Sequence, residues 1–322
     1  MAFQWTRRVL LALAPAALLA LAACDSSTIE SQFRPTRVVA FGDALSDMGQ
    51  VGNEPHTIDN STDVWVNFLA RSYGVQTPLK PAAAGGTVYA TTNARVTAKP
   101  DAAGNAATPT IKEQIDTFLA GQAFGPNDLV IMQGGISDLI VHIQAHRAGT
   151  LSRAQLLAAV RQTGLDFAAQ ARRVVAAGAQ HVLIVGMYDL AVTPWGIGTG
   201  IQSVVSEASR TFNDTVLVEL VTEGQHMLFI DTALLYNLMV NNPTGYAFDS
   251  VTAPVCTSLD PGPGIGIGTN QVSARQCTSA NPATIVAGAN VSRYLWADPV
   301  YPTSSGHSRL AEYAYSRVIQ RW

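Results

Sequence analysis

Charged residues are scarce in this chain of 322 residues, since Asp, Glu, Lys and Arg make up 13% of it and its formal net charge is -3. With 48% hydrophobic residues, this composition excludes disorder over the whole length. A mildly acidic chain with few lysines also lacks the basic surface that nucleic-acid binding needs, so we expect no nucleic-acid partner. Long apolar runs are missing beyond the N-terminus, which excludes a protein with several membrane spans.

The one long apolar run, Val9–Ala23, follows a basic start that contains Arg7 and Arg8. It is short for a bilayer span but typical of an export signal. The run ends in Leu21-Ala22-Ala23-Cys24, which resembles the lipobox of bacterial lipoproteins. The resemblance implies a signal peptide over residues 1–23, an acylated Cys24, and an exported periplasmic or cell-envelope protein anchored to a membrane. The alternative is an ordinary secretory signal with a chance cysteine.

Cysteine is also rare, with three residues in the whole chain. If Cys24 carries lipid, Cys256 and Cys277 remain as a pair in an oxidising compartment, which predicts a disulfide between them. They bracket the glycine-rich segment Asp260–Thr269, and closing such a loop stabilises the fold by roughly 3 kcal/mol. A metal site is the rival interpretation, but no further Cys or His stands at ligand spacing near either cysteine. We therefore expect no metal and no cofactor.

Short apolar strands alternate with amphipathic helices along most of the chain. Residues 24–36 are polar and patternless, which predicts a flexible, lipid-anchored tether before a domain at residues 37–322. Strands that are apolar on both faces and separated by helices indicate a parallel sheet covered on both sides. The sequence therefore predicts a single three-layer α/β/α domain. The predicted strands are Arg37–Phe41, Leu129–Gln133, His181–Gly186 and Met227–Asp231, and the predicted helices are Val64–Tyr73, Ile111–Ala120, Arg153–Ala177, Ile201–Glu223 and Ser304–Arg321.

In parallel sheets, functional residues collect in the loops that follow the carboxyl ends of strands. These loops carry four short motifs: Phe41–Gly49 (FGDALSDMG), Ala84–Gly86 (AGG), Gly134–Asp138 (GGISD), and Asp298–Thr303 (DPVYPT) with a nearby Gly306-His307. In this order they resemble the four blocks of the SGNH (GDSL) hydrolases, a family of lipases and esterases. The resemblance implies a flavodoxin-like SGNH fold and a small ester, an acylated glycan or a lipid as substrate or ligand.

Three positions depart from the chemistry that the family uses, in which a serine attacks the ester and a histidine takes its proton. The nucleophile position is Ala44, which has no nucleophilic atom. The base position is Tyr301, whose phenol has an ordinary pKa near ~10 and is a poor base at neutral pH. The oxyanion asparagine position is Ser137, whose hydroxyl is shorter than an amide. The resemblance therefore implies an ester-hydrolase scaffold with impaired catalysis.

Other family positions are kept. Asp298 matches the triad aspartate, and Gly85 and Gly86 match the glycine block whose backbone N–H stabilises the oxyanion. Ser46 and His307 are alternative catalytic residues, although Ser46 is more typical of helix capping and His307 of packing inside the last helix.

His56, in the loop after the first block, is a further histidine, and a lone loop histidine is usually solvated.

Two functional classes remain open at this point. One is an impaired ester hydrolase, and the other is a lipoprotein pseudoenzyme that binds a ligand or an envelope partner in the former cleft.

Overall fold

A parallel sheet of four strands organises the computed structural model, which describes residues 33–75 and 79–322. The strands lie side by side in chain order: β1 (Arg37–Phe41), β2 (Asp128–Gln133), β3 (His181–Val185) and β4 (Met227–Ile230). Val39 lies opposite Val130, and Ile131 lies opposite Leu183. All carboxyl ends therefore meet at one edge of the sheet, which confirms the predicted α/β class.

Helices cover both faces of this sheet. Those in the described ranges are α1 (Trp65–Ser72), α2 (Ile111–Gly121), α3 (Ile136–Arg147), α4 (Arg153–Ala176), α5 (Pro194–Gly198), α6 (Gln202–Glu219), α7 (Thr232–Asn241) and α8 (Ser304–Arg321). One layer holds α2, α3, α4 and α6, and the other holds α1, α7 and α8. The local sequence determines where two of these helices begin. Thr110 with Glu113 forms a capping box at the start of α2, and Ser152 with Gln155 forms one at the start of α4.

The core lies where these layers meet the sheet. Every residue of β2 is buried, because helices cover both of its faces. Each fully buried Val or Ile contributes about 1.5–3 kcal/mol of transfer free energy. The predicted strands agree with the observed bounds to within one residue at each end. One helix prediction needs correction, because α6 ends at Glu219 and a separate turn follows at Val221–Glu223. The helices α3, α5 and α7 were not predicted.

The N-terminal boundary also lies earlier than predicted. Phe33 is buried, and its ring lies 4.0 Å from that of His181 and 5.9 Å from that of Trp322. The Thr36 amide donates to the carbonyl of Asn127. Residues 33–36 therefore belong to the packed domain and not to a tether. The predicted signal peptide, Cys24 and the rest of the predicted tether lie outside the described residues.

The chain between β4 and α8 forms a cover over the carboxyl edge. It contains β5 (Ser250–Pro254) paired with β8 (Tyr294–Trp296), and the short antiparallel pair β6 (Leu259–Asp260) and β7 (Gln271–Val272). Cys256 and Cys277 form a disulfide, with their Cα atoms 5.9 Å apart. We call residues Cys256–Ser279 the cover segment. Among the helices in the described ranges, none combines the length and the apolarity that crossing a membrane requires.

Candidate active site

The turn after β1 is fixed by its backbone. The side-chain amide of Gln114 accepts from the Gly42 N–H and donates to the Gly42 carbonyl, both at 2.9 Å. A Cβ on Gly42 would lie 2.7 Å from the carbonyl oxygen of Gln133, so only glycine fits. Asp43 caps the short turn that follows by accepting from the Leu45 N–H at 3.2 Å. Ala44 therefore has a defined place at the carboxyl end of β1, and it is only 3% exposed.

The Asp298 side chain is held by several hydrogen bonds. Its Oδ1 accepts from the amides of Val300 at 2.9 Å and Tyr301 at 2.8 Å. Its Oδ2 lies 2.5 Å from Nε2 of His56 and accepts from the Ala274 amide at 3.3 Å. This carboxylate has four hydrogen-bonding partners and is fully buried.

His56 is thus an unforeseen member of the site. Its side chain is 2% exposed, so the expectation of a solvated loop histidine is wrong. Its Nδ1 is buried and has no hydrogen-bond partner in the described part of the chain. The Glu54 carboxylate pairs with Arg275 at 2.8 Å, and the Asp59 amide donates to the carbonyl of Cys277. The loop around His56 is therefore held against the cover segment on both sides of the histidine.

Tyr301 fills the base position with a buried ring. Its pKa is raised well above the ordinary value by burial and then by the carboxylates of Asp43 and Asp298, while the Ser137 hydroxyl acts in the opposite direction. The phenol therefore stays protonated at neutral pH and cannot act as a general base. Its ring meets that of His56 edge to face, with centroids 5.0 Å apart.

Ser137 is the second residue of α3 and stands two positions after Gly135, which has a positive φ of 95°. Its hydroxyl is buried near that of Tyr301, and within the described ranges neither hydroxyl forms a hydrogen bond of good geometry. The neighbouring Asp138 accepts from Arg95 and from the Val96 amide, both at 2.9 Å. The third block is therefore anchored by its aspartate, whereas Ser137 is left without a bond.

The glycine block lies apart from this cluster. The amides of Gly85 and Gly86 donate within their own turn, to the carbonyls of Ala82 at 2.9 Å and Pro81 at 3.0 Å. Gly85 is exposed, whereas Ala44 is buried. The prediction that these two amides stabilise an oxyanion needs correction, because neither is free in this structure.

The backbone beside the β1 turn is instead that of Tyr89–Thr92. The Thr91 amide donates to the Gly42 carbonyl at 3.0 Å, and the Thr92 amide donates to Oδ2 of Asp47 at 2.8 Å. No sequence signal pointed to this segment.

The two alternative catalytic residues are both committed to other bonds. The Ser46 hydroxyl accepts from Trp65 Nε1 at 3.0 Å and donates to Gln133 Oε1 at 3.3 Å. The Nδ1 of His307 accepts from the Trp65 amide at 3.3 Å. Burial, and then the proximity of His56, lowers the pKa of His307 to about 3. His307 is therefore a neutral packing residue, and Ser46 a buried structural hydroxyl.

Asp43 completes the buried cluster. Burial, as the largest cause, raises its pKa to about 6, and the charge of Asp138 adds to this rise. Its Oδ2 is buried without a partner in the described ranges, like the hydroxyls of Ser137 and Tyr301 and Nδ1 of His56. Ala44, Tyr301 and Asp298, each at most 3% exposed, also belong to this buried cluster.

A cavity of about 290 Å³ opens beside the β1 turn. Gln114, which holds Gly42, lines it together with Gln50, Tyr89 and Thr117, and its lining carries no charged side chain. The described residues include no group of His, Cys, Asp or Glu that is arranged to hold a metal ion.

Comparison with known proteins identifies the class. The family described as GDSL-like Lipase/Acylhydrolase matches residues 38–314, so the chain belongs to this family. The "Uncharacterized protein in trpE-trpG intergenic region" of Pseudomonas putida is 26% identical over 335 residues, covering 95% of this chain and 52% of that protein. Esterase EstA of Pseudomonas aeruginosa is 27% identical over 148 residues, covering 45% of this chain and 20% of the esterase. The chain thus spans about half of the first relative and a fifth of the second.

Two further similarities extend over most of the chain. Phosphatidylcholine-sterol acyltransferase of Aeromonas hydrophila is 24% identical over 341 residues, covering 95% of this chain and 96% of that protein. The crystal structure of phospholipase A1 from Streptomyces albidoflavus gives a TM-score of 0.44 at 14% identity, covering 87% of this chain and 98% of the other.

Proposed function

We propose that this protein is a GDSL-family ester-hydrolase scaffold of the cell envelope whose serine-type hydrolysis is strongly impaired. The observation that carries the proposal is Ala44, a methyl group at the turn where the family chemistry needs a nucleophilic hydroxyl. Tyr301 adds a second loss, because a buried phenol with a raised pKa cannot accept a proton at neutral pH. Ser137 adds a third, since its short hydroxyl replaces an oxyanion amide, a loss that typically costs ~10²–10³ in rate.

The combined loss is large. Removing triad members leaves only the ~10³–10⁴-fold acceleration over water that binding and oxyanion donors supply. In this structure even the amides of Gly85 and Gly86 are used within their own turn. We therefore expect turnover of activated esters close to the uncatalysed rate.

Hydrolysis of p-nitrophenyl acetate and p-nitrophenyl butyrate by the purified protein tests this proposal. We expect no turnover above that of an Asp298→Asn control, and no covalent labelling by a fluorophosphonate probe. A turnover rate within a few hundred-fold of that of an ordinary serine esterase would reject the proposal that hydrolysis is impaired. If that activity disappeared in Ser46→Ala, the nucleophile would be Ser46 instead.

The envelope location is proposed from the N-terminal sequence. Acylation of Cys24 would hold the protein to a membrane, because two or three acyl chains each contribute about 0.8 kcal/mol per buried CH₂. We expect Cys24→Ala to move the protein from the membrane fraction to the soluble periplasm. An unchanged distribution would reject the lipobox and leave an ordinary secretory signal.

A non-catalytic binding protein is the second candidate. It is favoured by the uncharged cavity beside the β1 turn, which suits a neutral ester or acylated glycan better than a charged ligand. We expect such ligands to raise the melting temperature of the parent but not of Thr117→Trp, which narrows the cavity. Equal shifts for both proteins would place binding elsewhere, and no shift for any neutral ligand would remove this candidate.

A further inference from the structure

We propose that His56 has replaced the lost histidine as the imidazole that Asp298 orients, so that the nucleophile is the one part missing from the triad. The inference rests on the proposed function, because it assumes that the parent protein lacks serine-type hydrolysis. It concerns a residue that stands 242 positions before Asp298 and outside every family block.

The contact pairs the Asp298 carboxylate with Nε2 of the imidazole and, within the described ranges, leaves Nδ1 free, the reverse of the ring orientation in the serine-hydrolase template. Nε2 of His56 lies 2.5 Å from Oδ2 of Asp298, and both side chains are almost fully buried. The other carboxylate oxygen accepts two backbone amides, so the carboxylate cannot turn away. A carboxylate bonded to one ring nitrogen fixes the tautomer and leaves the second nitrogen as the acceptor.

The second nitrogen has no competing role. Nδ1 of His56 is buried and has no hydrogen-bond partner among residues 33–75 and 79–322. Buried polar atoms are almost always paired, so the unpaired Nδ1 of His56 is available to a new hydrogen-bonding partner. The His56 ring contacts the Tyr301 ring, whose hydroxyl lies near Asp43 and Ser137. Asp43 directly precedes Ala44, so Tyr301 links the His56 ring to the turn that carries the nucleophile position.

The loop around His56 is held in place on its outer side as well. The Asp59 carboxylate accepts from the Ser279 amide at 2.7 Å and from the Thr278 hydroxyl at 2.7 Å. Arg275 bonds Glu54 at 2.8 Å. These bonds join the loop to the cover segment, which the disulfide closes. His56 therefore reaches Asp298 as part of a constructed loop.

A histidine introduced at position 301, where the family has its base, would find the Asp298 carboxylate already hydrogen-bonded. Asp298 already has four hydrogen-bonding partners, so a histidine introduced at position 301 would compete with His56 for Oδ2. Restoring the serine should therefore be more effective than restoring the histidine.

The chemical step in Ala44→Ser can be written in full. The introduced hydroxyl oxygen bonds to the ester carbonyl carbon while its proton passes to Nδ1 of His56, with Nε2–H kept on Asp298. The tetrahedral adduct expels the alcohol, which takes the proton from Nδ1. Water then attacks the acyl group, again losing a proton to Nδ1, and the acid and the free hydroxyl are released.

The experiment compares four full-length proteins on p-nitrophenyl acetate: the parent, Ala44→Ser, Ala44→Ser/His56→Gln, and Ala44→Ser/His142→Gln. We expect Ala44→Ser to hydrolyse the ester at least ~100-fold faster than the parent. Adding His56→Gln should slow this hydrolysis by ~10²–10⁴-fold, down to the rate of the parent where the loss exceeds the gain. His142→Gln, a matched change in a half-buried histidine on α3, should alter the rate less than about two-fold. The rate of Ala44→Ser should rise with pH, and this rise should vanish in His56→Gln.

Fluorophosphonate labelling of Ala44→Ser gives a second readout that does not need the His56 variant to fold. Its rate should show the same rise with pH. A folded Ala44→Ser at background, an undiminished rate in His56→Gln, or labelling that is flat with pH would each overturn the inference. A further ~10-fold gain from Tyr301→His would assign the base to position 301 instead. Activity in the parent itself would reject the proposed function, while the effect of His56→Gln would still decide the role of His56.

Discussion

The two halves of the candidate active site differ in how they are bonded. On one side, Asp298 has four hydrogen-bonding partners and every one of its acceptor directions is used. On the other, the hydroxyls of Ser137 and Tyr301 are buried and lack partners in the described ranges. Asp298 holds three backbone amides of the fold, whereas the side chain of Ala44 carries no polar atom. The first half therefore supports the fold through its hydrogen bonds, whereas the side chains of the second half contribute few.

The largest expected effect is the loss of the Asp298 carboxylate. Asp298→Ala would leave the amides of Val300, Tyr301 and Ala274 buried and unpaired, together with Nε2 of His56. We expect the free energy of unfolding to fall by about 3–5 kcal/mol, measured by urea denaturation.

The matched control for this change is Asp249→Ala, which removes an exposed carboxylate paired with Arg293 and should leave the urea midpoint close to that of the parent. If Asp298→Ala were equally mild, the bonded half of the site would not be structural and the comparison between the halves would fail.

The cover segment supports the bonded half from outside. Replacing both cysteines, as Cys256→Ala/Cys277→Ala, should lower the free energy of unfolding by roughly 3 kcal/mol, because the open loop gains chain entropy when unfolded. Urea denaturation under non-reducing conditions measures this loss, and adding a reductant to the parent should reproduce it. A parent whose stability is unchanged by reduction would show that the disulfide does not hold the cover.

A pH-dependent effect of intermediate size is expected at Asp43. Burial raises the pKa of Asp43 from 3.8 to about 6, so the folded protein keeps a proton that the unfolded chain releases. This stabilising contribution is full below about pH 4 and is lost as the pH rises through about 6. Asp43→Asn is neutral at every pH and keeps an oxygen for the Leu45 amide.

We therefore expect Asp43→Asn to match the parent near pH 4 and to be more stable by about 1–3 kcal/mol at pH 7.5. Urea midpoints of both proteins between pH 4 and 8 measure this difference. Parallel curves over the whole range would mean that the Asp43 carboxyl is not perturbed in the folded state.

Much of this fold follows from the sequence, for a physical reason. The strands are short and apolar on both faces, so β1, β2, β3 and β4 are readable from local composition. Their parallel arrangement then places the ends of β1 and β2 at one edge, which brings the motifs of Ala44 and Ser137 together. The motif at Asp298 was likewise readable, because it lies directly before a strongly patterned helix.

What the sequence did not reveal depends on long-range contacts. His56 looks like a solvated loop residue because its partner Asp298 lies 242 positions away, and no local pattern encodes that pairing. The amides of Gly85 and Gly86 looked available because a glycine pair says nothing about which carbonyl it meets. The early start at Phe33 was hidden for a similar reason, since its contacts with His181 and Trp322 are distant in the chain.

The smallest expected change in the free energy of unfolding is that of Ser137→Ala, in the half of the site whose hydroxyls lack hydrogen bonds. It is the counterpart of Asp298→Ala in the other half. The Ser137 hydroxyl is buried without a partner in the part of the chain that the structure describes, so Ser137→Ala removes a polar group that gains nothing from folding. We expect the free energy of unfolding to stay within about 0.5 kcal/mol of the parent or to rise slightly, measured by the same urea titration. Thr163→Ala provides the contrast, because the Thr163 hydroxyl donates to the Ala159 carbonyl at 3.1 Å and its loss should be destabilising. A loss above about 1 kcal/mol for Ser137→Ala would mean that Ser137 bonds a partner in solution, and the two halves of the site would then be alike.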